Sequence, residues 1–223
     1  MSQVSIITTT DGSHSLLNTS LNETYHSVHG ALQESKHVFV RHGLDFFCER
    51  SSVDSIHIFE MGFGTGLNAL LTAQRAAETQ RHIHYTTLET FPLDQSIWKQ
   101  LNYADTDEAK DLFQRIHEAD WNKESVVTPF FTQLKMETSL QQATLTPAFF
   151  DVVYYDAFAP NKQPELWEME LLRKVVEAMK TGGIFVTYCA KGQLKRDLKS
   201  LQLSVETLAG PPGKKEMVRA LKI

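Results

Sequence analysis

The sequence predicts an α/β fold with a mostly parallel sheet that ends in an antiparallel hairpin, preceded by an N-terminal extension. The first observation is a strand, glycine turn and helix unit, in which the apolar run 56–59 leads through three glycines into the helical pattern 67–80. The second is that apolar strand patterns and helical patterns alternate along the chain, as in parallel sheets with helical crossovers. The third is that the last two strand patterns, 204–208 and 216–221, are too close for such a crossover, so we expect them to pair antiparallel.

Length and composition indicate a single globular domain with an extension. The 223 residues are 42% hydrophobic and 22% charged, which is enough apolar material for a full core. We expect residues 1–50 to form an N-terminal extension that packs on the domain, and residues 51–223 to form the domain itself. Residues 1–24 are rich in Ser, Thr and Asn and predict a short hairpin or a loosely held arm.

The sequence also excludes several classes of protein. No apolar run reaches the roughly 18 residues of a membrane span, and the first residues lack the basic-then-apolar pattern of a secretory signal. Cys48 and Cys189 are far apart in sequence and fit no metal spacing, so we expect two reduced thiols in a cytoplasmic protein. His26, His29 and His37 have no cysteine or carboxylate ligands at matching spacing, so we expect no metal site.

The other periodic patterns predict the remaining elements. A helix is expected over residues 31–39, with a continuation to residue 47 that Gly43 interrupts. Further helices are expected over residues 92–101, 107–119, 167–180 and 191–201. Strands are expected over residues 84–89, 126–136, 149–156 and 184–189, and the Thr-Gly-Gly run 181–183 is expected to end the helix before the last of them.

Charge is distributed unevenly along the chain. The whole sequence has a net charge of −5, but residues 180–223 contain nine basic and three acidic residues, a net +6 that leaves −11 on residues 1–179. This asymmetry predicts either a basic face on an acidic body or an ordinary solvated helix and loop.

The glycine turn carries the most specific local signal. Glu60 ends the strand and glycines follow at 62, 64 and 66, whereas the dinucleotide fingerprint needs a glycine at position 67, where Leu67 stands. No Lys-Ser or Lys-Thr pair follows, so a phosphate loop is excluded as well. The pattern resembles the S-adenosylmethionine (SAM) loop of class I methyltransferases, in which the glycines let the backbone approach the cofactor. The alternative is a tight turn without a ligand.

Two acidic residues support a cofactor site at the same end of the sheet. Glu89 ends the next strand, 23 residues after Gly66, where an acid can bind the hydroxyl groups of a ribose. Asp156 ends the buried strand pattern 149–156. Because ligands of open α/β sheets bind beyond the carboxyl ends of the strands, we expect Asp156 to face the same crevice as the glycine loop.

Four segments together resemble one family, the methyltransferase domain of the bacterial tRNA 5-methylaminomethyl-2-thiouridine biosynthesis enzymes (MnmC). They are residues 60–68, 89–93, 151–167 and 214–217, and the resemblance covers roughly residues 25–223. It implies a class I SAM-dependent methyltransferase with a Rossmann-like fold. It also implies methyl transfer from SAM to the primary amine of 5-aminomethyluridine at the wobble position of tRNA. In the bifunctional members a flavin-dependent oxidase domain exposes that amine, so we expect a separate enzyme to supply the aminomethyl form to this chain.

The motifs and the resemblance together assign the site residues. Asp156 is expected to be the catalytic residue that hydrogen-bonds the amine and accepts its proton. The cofactor is expected to contact Glu60, Gly62, Phe63, Gly64, Thr65, Gly66, Asn68, Glu89, Thr90, Phe91, Glu137 and Asp156. The substrate is expected to contact Tyr25, Ser27, Glu34, Phe158, Pro160, Lys191, Lys195, Arg196, Lys214 and Lys215, the five basic residues at the tRNA backbone.

Alternatives remain open for several of these assignments. Asp156 can merely cap a turn, and Phe158 can pack in the core instead of lining a uridine pocket. A class I methyltransferase of a small molecule or protein is a second function, and it would turn over without tRNA. A non-catalytic SAM-binding or tRNA-binding module is a third, although such a module has no reason to keep Glu60, Glu89 and Asp156 together.

Overall fold

The computed structural model describes residues 4–223, which contain eleven strands. The strands are β1 (Val4–Thr8), β2 (His14–Asn18), β3 (Glu23–Thr24), β4 (Ser55–Met61), β5 (His82–Glu89), β6 (Glu124–Thr128), β7 (Phe131–Glu137), β8 (Phe150–Tyr155), β9 (Met179–Thr187), β10 (Leu203–Ala209) and β11 (Glu216–Lys222). The α-helices are α1 (Ala31–Ser35), α2 (Phe46–Arg50), α3 (Leu67–Thr79), α4 (Gln95–Trp98), α5 (Asp107–Glu118), α6 (Met169–Ala178) and α7 (Gly192–Ser200). A π-helical segment (Lys36–Asp45) joins α1 to α2, and a 3₁₀ turn (Pro164–Trp167) precedes α6.

Eight of these strands form the central sheet, in the order β10-β11-β9-β8-β4-β5-β7-β6. The five strands from β9 to β7 are parallel, and β11 joins them antiparallel to β9 and pairs with β10 as a hairpin. The predicted α/β fold with a mostly parallel sheet and a C-terminal antiparallel hairpin is therefore confirmed.

Side chains that alternate along the strands bury both faces of the sheet. On one face, Ile58 and Tyr154 belong to a core cluster with α3, α5 and the helical segment 31–50. On the other face, Val153 and Phe185 pack with α6 and α7. Strands buried on both faces need apolar residues at nearly every position, which explains the continuous apolar pattern of β8.

Residues 4–50, the described part of the predicted N-terminal extension, form a small sheet and a helix. Strands β1, β2 and β3 form an antiparallel sheet, so the predicted hairpin is confirmed for the described part of residues 1–24, and residues 1–3 lie outside that part. Helical backbone then continues through residues 31–50, and its buried side chains share the core cluster of the main sheet. Across residues 4–223, no helix has the length and apolar character that a membrane crossing requires.

Gly43 does not interrupt this helix, contrary to the sequence prediction. It lies inside the π-helical segment against the sheet, where an added Cβ would be 2.9 Å from Val186 and 3.0 Å from Tyr154. The absence of a side chain lets the helix approach β8 and β9 closely, so the glycine serves packing and not chain termination.

Three other predicted elements have different bounds in the structure. The strand predicted over residues 126–136 is two antiparallel strands, β6 and β7, joined by a turn at Pro129 and Phe130, because proline has no N–H to continue the ladder. The helix predicted over residues 92–101 is reduced to α4, whose N-terminus is capped by Asp94. The helix predicted over residues 167–180 ends at Ala178, and the Thr-Gly-Gly run 181–183, which was predicted to end it, lies within β9 instead. Strand β9 begins at once, and its register with β8 shifts between Phe150 and Val152.

Candidate active site

A cleft of about 1220 Å³ opens beyond the carboxyl ends of the parallel strands. Its position follows from the strand order, because the chain runs from β4 to β5 on one side of β4 and places β8 on the other. Ligands of open α/β sheets bind at such a reversal. The cleft is lined by the glycine loop after β4, by the segments that follow β5, β7 and β8, and by residues of the N-terminal extension.

Hydrogen bonds tie the ends of these strands to one another. The Phe63 N–H donates to the carbonyl of Leu88 at 2.9 Å, and the Gly64 N–H donates to the Glu89 carboxylate at 3.0 Å. The second oxygen of Glu89 accepts from the Phe91 N–H at 2.9 Å. The glycine loop and the end of β5 are therefore held in one arrangement by the same acid that sequence reasoning placed at a ribose.

The backbone at Gly62 has a conformation and a neighbour that favour glycine. Its φ is +90°, and an added Cβ would lie 3.1 Å from the carbonyl oxygen of Asp156. The Asp156 N–H donates to the Met61 carbonyl at 3.2 Å, so the ends of β4 and β8 lie side by side. The glycine loop and Asp156 thus meet at the floor of the cleft, as the sequence predicts.

Asn68, in the first turn of α3, links two carboxyl groups at this floor. Its amide nitrogen donates to Glu60 Oε1 at 3.0 Å and to Asp156 Oδ2 at 2.8 Å, which uses both of its hydrogens. The amide oxygen of Asn68 is buried and has no hydrogen-bond partner within the described part of the chain. Thr87 donates to the other oxygen of Glu60 at 2.8 Å.

The two carboxyl groups have shifted pKa values. Burial raises the pKa of Glu60 to about 8, although the hydrogen bond from Thr87 opposes the rise. Burial raises the pKa of Asp156 to about 7, the Glu34 carboxylate adds to the rise, and Asn68 and Lys214 oppose it. At neutral pH Glu60 therefore holds its proton, whereas Asp156 is divided between its acid and its base form.

The N-terminal extension forms one wall of the cleft. The Tyr25 ring meets Phe158 edge to face, with centroids 5.0 Å apart, and both line the cleft. His26 Nε2 lies 2.7 Å from Thr65 Oγ1 in the glycine loop, and burial lowers the pKa of His26 to about 4, so the ring is neutral at neutral pH. His117 Nε2–H donates to the Thr65 carbonyl at 3.1 Å, and burial lowers the pKa of His117 to about 3. Two neutral imidazole rings therefore contact the loop at Thr65.

A family model described as "S-adenosyl-L-methionine-dependent methyltransferase" matches residues 104–223, more than half of the chain. The chain belongs to this methyltransferase family. Its cofactor is accordingly SAM, and the α/β fold is that of a class I methyltransferase.

Similar proteins agree with this family. The tRNA 5-methylaminomethyl-2-thiouridine biosynthesis bifunctional protein MnmC of Methylobacillus flagellatus is 28% identical over 213 residues, which cover 88% of this chain and 32% of that protein. MnmC of Pseudoalteromonas atlantica is also 28% identical, over 91% of this chain and 31% of its own length. The chain therefore spans about a third of these curated relatives. The crystal structure of MnmC2 from Aquifex aeolicus has the same fold, with a TM-score of 0.83 and 22% identity over 99% of this chain and 71% of that chain.

The floor of the methyltransferase cleft fits a SAM molecule. The unpartnered amide oxygen of Asn68 can accept a hydrogen bond from an ammonium group, and Gly62 places backbone without a side chain at the floor of the cleft. Within the described chain, the charged side chains that line the cleft are five carboxylates and one lysine, which suits a cation such as a sulfonium or an ammonium. The carboxylates are those of Glu23, Glu34, Glu89, Asp156 and Glu165.

The structure brings most of the sequence-predicted site residues to the cleft. Its lining includes Tyr25, Ser27, Glu34, Gly62, Phe63, Gly64, Thr65, Asn68, Glu89, Thr90, Phe91, Asp156, Phe158 and Lys214. Glu60 lies buried beneath Asn68, and Gly66 caps α3. Glu137 is exposed at the end of β7, and neither it nor Pro160 lines the cleft, so their predicted contacts stay predictions.

The five predicted tRNA-contacting residues fall into two groups. Lys191, Arg196 and Lys215 are exposed outside the cleft. Lys195 is paired with Glu216 at 2.8 Å, and Lys214 points into the cleft and pairs with Glu34. These two residues therefore already have acidic partners.

Sequence reasoning missed several parts of the cleft. Tyr188 follows β9 and residues 139–142 follow β7, so the rule that ligands bind beyond the carboxyl ends of strands would have found both. Residues 20–22, in the turn after β2, also line the cleft. No sequence signal points to them, because only tertiary packing brings the extension there.

Proposed function

We propose that this methyltransferase transfers the methyl group of SAM to the primary amine of 5-aminomethyluridine, with or without 2-thiolation, at the wobble position of tRNA. The product is the 5-methylaminomethyl form. The observation that carries the proposal is the Asp156 carboxylate, held by Asn68 beside the glycine loop in a cleft whose charged lining residues are mostly acids. The MnmC proteins, which the chain matches over 88% and 91% of its length, support tRNA as the substrate.

The acceptor amine must be neutral when it reacts, and Asp156 is suited to make it so. When bound, SAM supplies an electrophilic sulfonium methyl group, and the N–C bond forms as the S–C bond breaks. Asp156 accepts a hydrogen bond from the amine, orients the nitrogen lone pair and takes the proton that the amine loses. A pKa of about 7 matches this task, because the carboxylate is present at neutral pH and is still basic enough to hold a proton.

Glu60 has a different part in this mechanism. With a pKa near 8 it is protonated at neutral pH, so it adds no second negative charge next to Asp156. Its contact with Asn68 Nδ2 fixes the side-chain amide, which in turn holds Asp156. Glu60 is thus a positioning residue for Asp156.

The rings of Tyr25 and Phe158 provide flat walls for a nucleobase. Both line the cleft, and RNA bases that are turned out of a stack are commonly held on aromatic side chains. Exposed Lys191, Arg196 and Lys215 are then the candidates for the tRNA backbone. The acidic cleft repels phosphates, so only the base and its aminomethyl group enter it.

The chemistry of the proposed substrate requires an earlier reaction that produces it. The acceptor must already carry a free primary amine, so we propose that a separate enzyme supplies the aminomethyl form, and that both act in the cytoplasm, where tRNA is found.

The direct test is transfer of labelled methyl from SAM into tRNA that lacks the final methylation, followed by digestion to nucleosides. A labelled 5-methylaminomethyl nucleoside is expected with the wild type and not with Asp156→Asn. Bound SAM without label in tRNA would move the substrate to a small molecule or protein.

A further inference from the structure

Lys214 has an unusual place for a lysine of an exposed hairpin loop. The loop between β10 and β11 directs its side chain inward, where it lines the cleft and is only 28% exposed. Its ammonium group donates to Glu34 Oε1 and lies 3.7 Å from the centroid of the Tyr188 ring. The neighbouring Lys215 is exposed, so the two lysines of this loop have different environments.

Both partners of Lys214 are hydrogen-bonded to other residues that line the cleft. Glu34 is buried in α1, and its other oxygen accepts from the Ser27 N–H at 2.7 Å. The Tyr188 hydroxyl donates to the carbonyl of Ala157, the residue after Asp156, at 2.8 Å. Lys214 therefore contacts a carboxylate of the N-terminal extension and a tyrosine that hydrogen-bonds the residue after Asp156.

The charges around Asp156 come from several elements. Glu34 of α1 disfavours its ionised form, and Lys214 of the hairpin loop favours it. Glu60 of β4 shares the Asn68 amide with Asp156, and the Tyr188 hydroxyl and the deeper Tyr85 are also electrostatically coupled to Asp156. Among the described residues that line the cleft, Lys214 is the single lysine or arginine, so nothing else there offsets Glu34.

We propose that Lys214 is a positioning residue for Asp156: it neutralises Glu34 and covers Tyr188, and so keeps the Asp156 carboxylate ionised and in place. This role rests on the proposed function, in which that carboxylate serves the acceptor amine. It differs from the tRNA backbone contact that the sequence predicts for Lys214. Without Lys214, the negative charge of the buried Glu34, which disfavours the ionised form of Asp156, has no lysine or arginine beside it among the described residues that line the cleft.

The test compares Lys214→Met, Glu34→Gln and the double variant with the wild type. Two quantities are measured: the titration midpoint of the Asp156 carboxyl carbon by NMR on the intact, ¹³C-aspartate-labelled protein, and the acid limb of the rate of methyl transfer to tRNA. The Asp156 signal is assigned by its absence in Asp156→Asn. Lys214→Met should raise both midpoints by roughly one pH unit, so that the lost rate returns at higher pH. Glu34→Gln should lower them, and the double variant should restore the wild-type values.

Control variants separate this role from simple loss of packing or of tRNA binding. Lys199→Met removes an exposed charge from α7 and should leave the Asp156 midpoint unchanged. Lys214→Arg keeps the charge and should also keep the midpoint, and it gives a second test if Lys214→Met does not fold. We expect tRNA binding to have the same salt dependence in Lys214→Met as in the wild type, because the substitution removes no phosphate contact.

Two results would overturn the inference. One is an Asp156 midpoint in Lys214→Met that equals the wild-type value. The other is a double variant that is no closer to the wild type than Lys214→Met. Failure of the proposed function is distinguishable, because the NMR titration needs no substrate and the absence of methyl transfer by the wild type is a separate observation.

Discussion

The amide nitrogen of Asn68 lies 2.8 Å from a carboxylate oxygen of Asp156, and its second hydrogen is donated to the buried Glu60. One short side chain therefore holds together two acids from different strands, β4 and the end of β8. Asparagine at this position supplies two donors without adding charge. An aspartate has nearly the same shape, but a carboxylate oxygen, which only accepts hydrogen bonds, would then lie against the carboxylate oxygens of Glu60 and Asp156.

Asn68→Asp should therefore destabilise the protein in a pH-dependent way. Three carboxyl groups in contact raise one another's pKa, so the folded state binds more protons than the unfolded one and stability falls as the pH rises. We expect a loss of about 2–4 kcal/mol at pH 9 and a clearly smaller one at pH 6, measured by urea unfolding. An equal loss at both pH values would contradict the contact of the three acids.

Asp156→Asn should separate catalysis from cofactor binding. Turnover should fall about 10²- to 10⁴-fold, because the acceptor amine loses its proton acceptor, while SAM affinity measured by calorimetry is retained. Loss of SAM binding together with turnover would argue against the catalytic role. The exposed Asp105 provides the matched control, since Asp105→Asn should leave both quantities unchanged.

The same substitution should raise the melting temperature. Because the pKa of Asp156 is raised to about 7 in the folded state, ionisation of this group destabilises the fold. The destabilisation is absent below the unfolded-state pKa and grows as the pH rises towards 7. The variant should thus melt above the wild type at pH 8 and close to it at pH 4. A lower melting temperature at pH 8 would mean that the ionised carboxylate stabilises the fold.

Gly62→Ala should weaken SAM binding as well as stability. Both Gly62 and Gly182 have positive φ, +90° and +80°, but only at Gly62 would a Cβ meet a neighbour, the Asp156 carbonyl at 3.1 Å. Each substitution should cost about 1–2 kcal/mol from the backbone conformation. Gly62→Ala should in addition lower SAM affinity at least about tenfold by displacing the loop, roughly 1.4 kcal/mol. Equal SAM affinity in the two variants would show that the loop tolerates the displacement.

Acidification should destabilise the protein partly through His26. Its pKa is lowered to about 4 in the folded state, so the unfolded state binds more protons, and stability present above pH 6.5 is lost as the pH falls. The single group accounts for about 2 kcal/mol at pH 5. His26→Gln keeps a polar group near Thr65 and should reduce the loss between pH 7 and pH 5, whereas His82→Gln, at an exposed site, should not. Unchanged acid sensitivity in His26→Gln would exclude His26 as its source.

The basic surface outside the cleft should govern the salt dependence of tRNA binding. Replacing Lys191, Arg196 and Lys215 together by glutamine removes three exposed charges. The slope of log K against log salt should decrease by about 2, since each contact with single-stranded RNA contributes about 0.7. The rate at saturating tRNA should change little. An unchanged slope would place the tRNA backbone on another surface.

Local sequence patterns were sufficient to predict the parallel sheet and the acidic residues at the carboxyl ends of its strands. Apolar runs that end in Glu60, Glu89 and Asp156 each predict an acid at the carboxyl end of a strand, and the structure brings all three to the cleft floor or its lining. The apolar pattern did not predict the correct number of strands where one apolar run contains two of them, β6 and β7. The turn at Pro129 splits the predicted strand 126–136, although a proline within a strand pattern is a local signal of such a break.

The sequence by itself determined the α/β fold, the glycine loop and the acids of the cleft, because strand and helix periodicity and turn residues are local properties of the chain. Only the tertiary structure decided what those acids contact. The sequence predicts Lys214 to be a surface cation, yet its ammonium group pairs with Glu34, 180 residues away, and lies over the ring of Tyr188. His26 reads as a scattered histidine and contacts the glycine loop at Thr65. Such pairings depend on how distant elements pack, and no local period encodes them.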